Sequence, residues 1–244
     1  MSDPALSFNT VRKRFSGREV LRGIDLDLQP GEYLGLVGLN GAGKTTLIKS
    51  LLDFIEYDDG AIRIQNESTT LPSARAPLAY LPERFQPPQY LRGREFLQMM
   101  CKLYGVAYRE DDIIKLLTVL DMEAVALDKS VRQYSKGMTQ KLGLAACLYS
   151  GKSILVLDEP MSGLDPRARL QFKQHLLSLR SSGLSLFFST HLLADVEAIC
   201  DRIAILHDGL IRFLGSPAEC REQYSASDLE TAYLNCISVT DNRN

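Results

Sequence analysis

Gly38-Leu39-Asn40-Gly41-Ala42-Gly43-Lys44-Thr45-Thr46 is the stretch that decides the fold. It matches the phosphate-loop pattern G-x-x-x-x-G-K-[ST], and its flanks give the pattern a structural context. The apolar run Tyr33-Leu34-Gly35-Leu36-Val37 before it reads as a buried strand, and Leu47-Ile48-Lys49-Ser50-Leu51-Leu52 after it reads as a helix. In such a turn, successive backbone N–H groups converge on an anion, helped by the positive end of the helix. Gly38, Gly41 and Gly43 allow backbone angles and a close approach that a side chain would block. Lys44 can reach the β- and γ-phosphates of a nucleotide, and the Thr45 hydroxyl can ligate Mg²⁺. A glycine-rich turn with an incidental lysine is the plain alternative, and it does not account for the strand and helix on either side.

The 244 residues are enough for one large domain or two closely joined subdomains, and 45% hydrophobic with 24% charged residues is ordinary for a globular protein. A net charge of −2 supplies no positive field for nucleic acid, so no nucleic-acid partner is expected. Cys101, Cys147, Cys200, Cys220 and Cys236 form no C-x-x-C pair, which suits free thiols in a reducing compartment better than disulfides or zinc. Arg12, Lys13 and Arg14 interrupt any signal-peptide pattern, and no run approaches the ~18 apolar residues of a membrane-spanning helix. The expectation is a cytosolic chain, or one held at a membrane through a partner.

Leu6 to Val11 and Ile24 to Leu28 alternate like half-buried strands, with Ser16-Gly17 as a turn between them. Asp58-Asp59-Gly60 turns into a short strand from Ala61 to Ile64, residues 65–77 read as a polar surface loop, and Leu78 to Leu81 is a strand closed by Pro82. From Gly93 to Ser150 the pattern is helical: Phe96, Leu97, Met100, Leu103 and Tyr104 share one face, as do Ile113, Ile114, Leu116, Leu117 and Leu120. Ile154 to Leu157 is apolar without alternation, as a parallel strand buried on both faces should be. A helix follows with Asp165 as N-cap and Pro166 at its first position, then a strand from Leu184 to Thr190, a helix through Leu192, Leu193, Val196 and Ile199, and a hairpin turning at Asp208-Gly209. The stretch from Pro217 is helical, and Thr240 to Asn244 is expected to fray. The fold class is α/β: a P-loop core with an antiparallel β subdomain at its N-terminal side and an inserted helical subdomain. The expected organisation is 1–82 with 151–220 as β flank and core, 83–150 as the helical insertion, and 221–244 as a tail.

Ligands of open parallel sheets bind at the carboxyl ends of the strands, and three strand ends carry suitable chemistry. The first is the phosphate loop. The second is Asp158-Glu159, where Asp158 can hold Mg²⁺ and Glu159 can orient or deprotonate an attacking water; the same pair can also simply cap the next helix. The third is His191, placed to meet a γ-phosphate or to serve as a structural histidine. A second anion-binding device is written in Tyr134-Ser135-Lys136-Gly137-Met138-Thr139-Gln140, a small hydroxyl residue and a glycine before a helix, which equally describes an ordinary N-cap. It lies in the helical insertion, so it would reach the nucleotide from a second molecule in a two-fold dimer.

Taken in order, these motifs resemble those of the ATP-binding-cassette (ABC) ATPases, the nucleotide-binding subunits of ABC transporters, from about Leu6 to Pro217. Gly38 to Thr45 is similar to the family's Walker A, Ile154 to Glu159 to its Walker B with the catalytic glutamate, Ser162-Gly163-Leu164-Asp165 to its D-loop, and His191 to its switch histidine. Tyr134 to Met138 stands where the Leu-Ser-Gly-Gly-Gln signature belongs; Tyr134, Lys136 and Met138 depart from it, while Ser135 and Gly137 keep the positions expected to touch the γ-phosphate in trans. Phe15 stands where the family stacks an aromatic ring on adenine. Glu83 stands at the Q-loop position, where glutamine is usual, and can bond the Mg²⁺ shell or the attacking water. The segment Phe85 to Tyr90 falls where the family docks its membrane partner; its aromatics and prolines fit a binding surface or an ordinary loop. The Tyr-Ser-Lys-Gly-Met signature, Leu-Pro-Glu segment and Ser-Thr-His-Leu-Leu segment look most like ABC-2 type exporters, which pair with a separate permease.

The resemblance implies an ATPase using ATP and Mg²⁺, acting as a dimer on the cytoplasmic face of a membrane and driving a transmembrane subunit. Two rivals are a cassette serving translation or DNA repair and a regulatory cassette that binds ATP without hydrolysing it. The first usually carries tandem cassettes or a long coiled coil, which this chain lacks; the second is at odds with the presence of both Glu159 and His191.

Overall fold

Leu34 and Leu36 pack to one side of the central strand while Tyr33 and Val37 pack to the other, which is why this strand shows no polar alternation. The structure, a computed structural model, describes residues 3–241. The strand is β3 (Tyr33–Val37), the third of ten among the described residues: β1 (Leu6–Phe15), β2 (Arg18–Leu28), β4 (Asp59–Ile64), β5 (Glu67–Ser68), β6 (Leu78–Leu81), β7 (Ile154–Asp158), β8 (Ser185–Thr190), β9 (Arg202–His207) and β10 (Leu210–Gly215) are the others. The larger sheet has the order β10-β9-β3-β8-β7-β6, parallel except for the β9–β10 hairpin at its edge. The smaller sheet is antiparallel in the order β2-β1-β4-β5.

Helix α1 (Lys44–Leu51) fills the space between the two sheets. There Leu47 and Ile48 meet Phe8, Leu26, Leu34, Leu36 and Phe187 in one apolar cluster. The opposite face of the larger sheet, with Leu155, Leu157, Leu186 and Phe188, is covered by helices in a second cluster. Those helices are α2 (Gly93–Tyr104), α3 (Glu110–Val119), α4 (Lys136–Leu148), α5 (Pro166–Ser178), α6 (Leu193–Ile199), α7 (Pro217–Gln223) and α8 (Leu229–Asp241). None of the described helices is long and apolar enough to cross a membrane.

Several local expectations need correction. β1 runs on to Phe15 and β2 starts at Arg18, so the antiparallel ribbon is longer than its apolar alternation; Arg12, Lys13, Arg14 and Phe15 pair with Arg22, Leu21, Glu19 and Arg18 through the backbone, and of these Leu21 is buried. Residues 65–77 are not only loop: Glu67 and Ser68 pair with β4, and Pro72–Arg75 forms a 3₁₀ turn. On α2, Leu103 is 72% exposed, so the apolar stripe there is narrower than the spacing implies. The terminal helix continues through Thr240 and Asp241, where fraying was expected, and residues 242–244 lie outside the described residues.

Sheet register sets the site. Val37 pairs with Thr190 and Asp158 pairs with Ser189, so the chain leaves β3, β7 and β8 at nearly the same level. Gly38, Glu159 and His191 therefore all emerge at one edge of the sheet.

Candidate functional site

The loop from β3 to α1 is shaped by its glycines. A Cβ on Gly38 would stand 2.4 Å from the Leu206 carbonyl oxygen, so no larger residue fits there. Gly43 takes φ 112° and immediately precedes α1. No side chain caps α1, and its first turn has no acidic residue. Its leading N–H groups are therefore open to an outside anion at the positive end of the helix.

Lys44 is buried, and its ammonium donates to the Gly38 carbonyl at 2.6 Å and the Leu39 carbonyl at 3.4 Å. Glu159 Oε1 lies 3.6 Å from the same nitrogen. That oxygen is buried and accepts no hydrogen bond. The other oxygen, Oε2, is 3.0 Å from His191 Nδ1, whose side chain is half exposed. Lys44, Glu159 and His191 thus form a continuous line across the ends of β3, β7 and β8.

Asp158 is shut from solvent at the end of β7. Its Oδ2 accepts from the Thr45 hydroxyl at 3.0 Å, and its Oδ1 accepts a short hydrogen bond from the Ser189 hydroxyl. The Ser189 hydroxyl also accepts from the Glu159 N–H at 3.1 Å, which ties the two acidic residues to β8. The Thr45 and Asp158 pair is an all-oxygen donor set that fits a small hard cation with water or phosphate oxygens completing its shell. Neither acidic residue caps the following helix: Asp165 does, accepting from the Ala168 N–H at 2.9 Å.

A cavity of about 370 Å³ opens over these groups, lined by Val20, by Leu39, Asn40, Gly41, Gly43, Lys44, Thr45 and Thr46 of the loop, and by Glu83, Arg84, Asp158 and Glu159. Ala42 lies on the adjoining cavity, which shares Val20 and Gly41. Beside it, burial pushes the Tyr80 phenol well up, with the carboxylates of Asp158 and Glu83 adding to the shift.

The remaining candidates are not on this cavity within one copy of the chain. Phe15 is 45% exposed, with the Lys13 ammonium 5.2 Å from its ring centroid. Ser135 caps α4, its hydroxyl accepting from the Met138 N–H at 3.2 Å. Gly137 faces the Gly163 carbonyl, 2.8 Å from where a Cβ would stand, so the start of α4 rests on the turn before α5. Asp165 is occupied twice: the Ala168 N–H and then the Lys141 ammonium, at 3.1 Å, hold its carboxyl below the usual range.

The segment from Phe85 to Tyr90 is less open than its composition implies. Phe85 is partly buried, edge-on to Phe96 at 5.7 Å, and Pro87 is buried; Tyr90 alone of the aromatics is fully out, at 83% exposure. The cause is Gly143 on α4, where a Cβ would stand 2.8 Å from the Phe85 ring. What faces solvent is a cleft of about 580 Å³ between residues 83–89 and the start of α4.

Two supporting residues escaped the sequence reading. Ser189 was visible only as one of three hydroxyl residues in β8. Gln140, buried in α4, donates to the Pro160 carbonyl at 3.0 Å and so links α4 to the residue after Glu159.

Comparison with known proteins bears on the family and the fold. The family profile described as ABC transporter matches residues 21–162. An uncharacterized ABC transporter ATP-binding protein of Synechocystis is 40% identical over 205 residues, covering 82% of this chain and 58% of its own length. The chain thus spans little more than half of that relative. The Nod factor export ATP-binding protein I of Burkholderia thailandensis is 34% identical over 96% of this chain and 78% of its own length. Among solved structures, the ATP-binding subunit of an ABC transporter superposes with a TM-score of 0.88 at 28% identity, covering 96% of this chain and 99% of that one.

Proposed function

The chain belongs to the ABC transporter family as an ATP-binding cassette, and from that premise we propose that it hydrolyses ATP to drive an export step in a separate transmembrane subunit. The observation that carries the reading is the line from Lys44 through Glu159 to His191, beside the Thr45–Asp158 pair.

In this reading Lys44 and the open N–H groups of α1 hold the β- and γ-phosphates. The lysine then exchanges the Gly38 and Leu39 carbonyls for phosphate oxygens. Thr45 and Asp158 would hold Mg²⁺, which when bound neutralises charge on the phosphates. Glu159 orients a water and accepts its proton as the water oxygen attacks the γ-phosphorus and the bond to the bridging oxygen breaks. His191 holds the glutamate through Nδ1, and Glu83 approaches from the side of the helical region, residues 83–150. Phe15, exposed at the end of β1, is taken as the adenine platform.

Ser135 and Gly137 do not line the cavity of their own chain, so they are assigned to the nucleotide of a second copy in a two-fold dimer, with Asp165 shaping the turn between the two sites. Closure and opening of that dimer would move the cleft between residues 83–89 and α4, which is the proposed seat of the permease. The chain then works at the cytoplasmic face of a membrane without crossing it. The relative that serves Nod factor export supports an export direction.

Glu159→Gln is the test. Removing a general base costs about 10²–10⁴-fold in rate, so steady-state phosphate release is expected to fall at least 100-fold while ATP stays bound and the protein elutes as a dimer. Undiminished phosphate release would refute the role given to Glu159.

A further inference from the structure

Glu159 stands at φ 50°, and a backbone in that region persists only where its surroundings over-determine it. On the side of β8 the hold is plain: the Glu159 N–H donates to the Ser189 carbonyl at 3.2 Å and to the Ser189 hydroxyl at 3.1 Å. On the other side the chain passes through residues 160–165 before α5 begins. That turn has few bonds of its own. The Ser162 N–H donates to the Glu159 carbonyl at 3.0 Å and the Leu164 N–H to the Met161 carbonyl at 3.2 Å, Pro160 has no N–H to give, and Gly163 takes φ 80°.

Two neighbouring residues of α4 close on the two ends of the turn. Gln140, buried, donates to the Pro160 carbonyl at 3.0 Å. Lys141, also buried, sends its ammonium to Asp165 Oδ2 at 3.1 Å and to the Asp121 carbonyl at 2.9 Å. Asp121 lies just beyond α3, and its Oδ1 meets Nε of Arg167 on α5 at 3.3 Å. Among the described residues, no other side chain from outside the turn and α5 hydrogen-bonds to residues 160–165. A buried ammonium is costly unless it is paired and hydrogen-bonded. Here the pairing ties the end of α3, the body of α4 and the start of α5 at one point.

We propose that Lys141 is a positioning residue for Glu159. Its ammonium, pinned at the end of α3, locks Asp165 and with it the far end of the turn, while Gln140 fixes the near end, so that the Glu159 carboxylate stays in line with Lys44 and His191. The inference rests on the hydrolysis reading given above and adds to it a residue that touches no phosphate.

The test uses the full chain with Lys141→Met, which keeps the apolar stem and deletes the charge. The carboxylates left behind, 50% exposed at Asp165 and 31% at Asp121, stay hydrated, so the variant is expected to fold. Its kcat for phosphate release should fall roughly 10- to 100-fold, the scale on which misplacement of a reacting group by up to about 1 Å is felt. The Kd for ATP by titration calorimetry should stay within about twofold of wild type, because Lys141 bonds to no residue of the phosphate loop. Lys141→Arg, which keeps a charge within reach of Asp165, should retain at least about a third of the wild-type kcat.

A second comparison sets Glu159→Gln beside Glu159→Gln with Lys141→Met in single-turnover hydrolysis. With no carboxylate base left to position, the added substitution should change the residual rate less than about twofold. Asp165→Asn reads the same contact from the partner's side: it keeps an acceptor for the Ala168 N–H and turns an amide NH₂ toward Lys141. Its loss of kcat should match that of Lys141→Met, and the two should not add.

A kcat within about twofold of wild type in both Lys141→Met and Asp165→Asn, equal losses in Lys141→Met and Lys141→Arg, or the same fold loss with and without the Glu159 carboxylate overturns the proposal while leaving the ATPase reading intact. A wild-type chain that releases no phosphate would overturn both.

Discussion

Arg169→Met isolates a buried ion pair that anchors the helix following His191. Asp195 on α6 is 1% exposed, and two nitrogens of the Arg169 guanidinium grip both its oxygens, one at 2.9 Å and the other closer. Lys173 is a weaker second partner, 3.4 Å from Oδ1. Methionine keeps most of the arginine's apolar stem but leaves a carboxylate shut from water with that lysine as its remaining ionic partner among the described residues. Breaking a buried pair from one side costs about 3–5 kcal/mol. The surviving lysine is 20% exposed and admits some hydration, so the lower end, about 3 kcal/mol, is expected. For a chain of this size that corresponds to a fall of roughly 6–12 °C in melting temperature.

The double variant Arg169→Met with Asp195→Leu removes the stranded charge as well. It should recover about 2 kcal/mol relative to the single variant, since apolar replacements of buried pairs are often neutral. Urea denaturation and calorimetry on wild type, both single variants and the double complete the cycle. A single variant costing under about 1 kcal/mol, or a double no more stable than Arg169→Met alone, would show that the carboxylate is not held by this arginine.

Gly143→Val would press a side chain into Leu81, 2.5 Å from the Cβ position, and into the Phe85 ring; an overpacking cost of about 1–3 kcal/mol is expected in urea denaturation. At the start of α7, the Ser216 N–H donates to Glu219 at 2.6 Å, and that backbone bond, followed by the Ser216 hydroxyl, holds the Glu219 carboxyl below its ordinary value. A lowered folded pKa means that this contribution is complete above the unfolded value, about pH 4.3, and is lost as pH falls through the folded one. The melting-temperature gap between wild type and Glu219→Gln should therefore close between pH 5 and pH 3; a gap that is constant over that range would count against it.

Local chemistry made much of this fold legible. The apolar runs Tyr33–Val37, Ile154–Leu157 and Leu184–Thr190 announce strands buried on both faces, and the residues beyond them, Gly38, Asp158-Glu159 and His191, do converge at one edge. The N-cap and proline of α5 were likewise readable at Asp165-Pro166. What stayed hidden depends on long-range packing. Nothing in residues 85–90 alone says that Phe85 and Pro87 turn inward, because the recess for the ring is made by a missing side chain at Gly143, on another helix. β5 was invisible because two polar residues pair only through their backbones.

Glu159 sits at φ 50°, in the left-handed region that side chains other than those of glycine, asparagine and aspartate seldom adopt. Holding it there costs about 1–2 kcal/mol, and glycine would be more comfortable at that position. The fold thus spends stability at the residue whose carboxylate the proposed reaction needs. Selection for heat resistance and selection for turnover pull this position in opposite directions, toward a bare backbone in one case and an acid in the other. A lineage freed from the need to hydrolyse would have a ready route to a sturdier protein through this one codon.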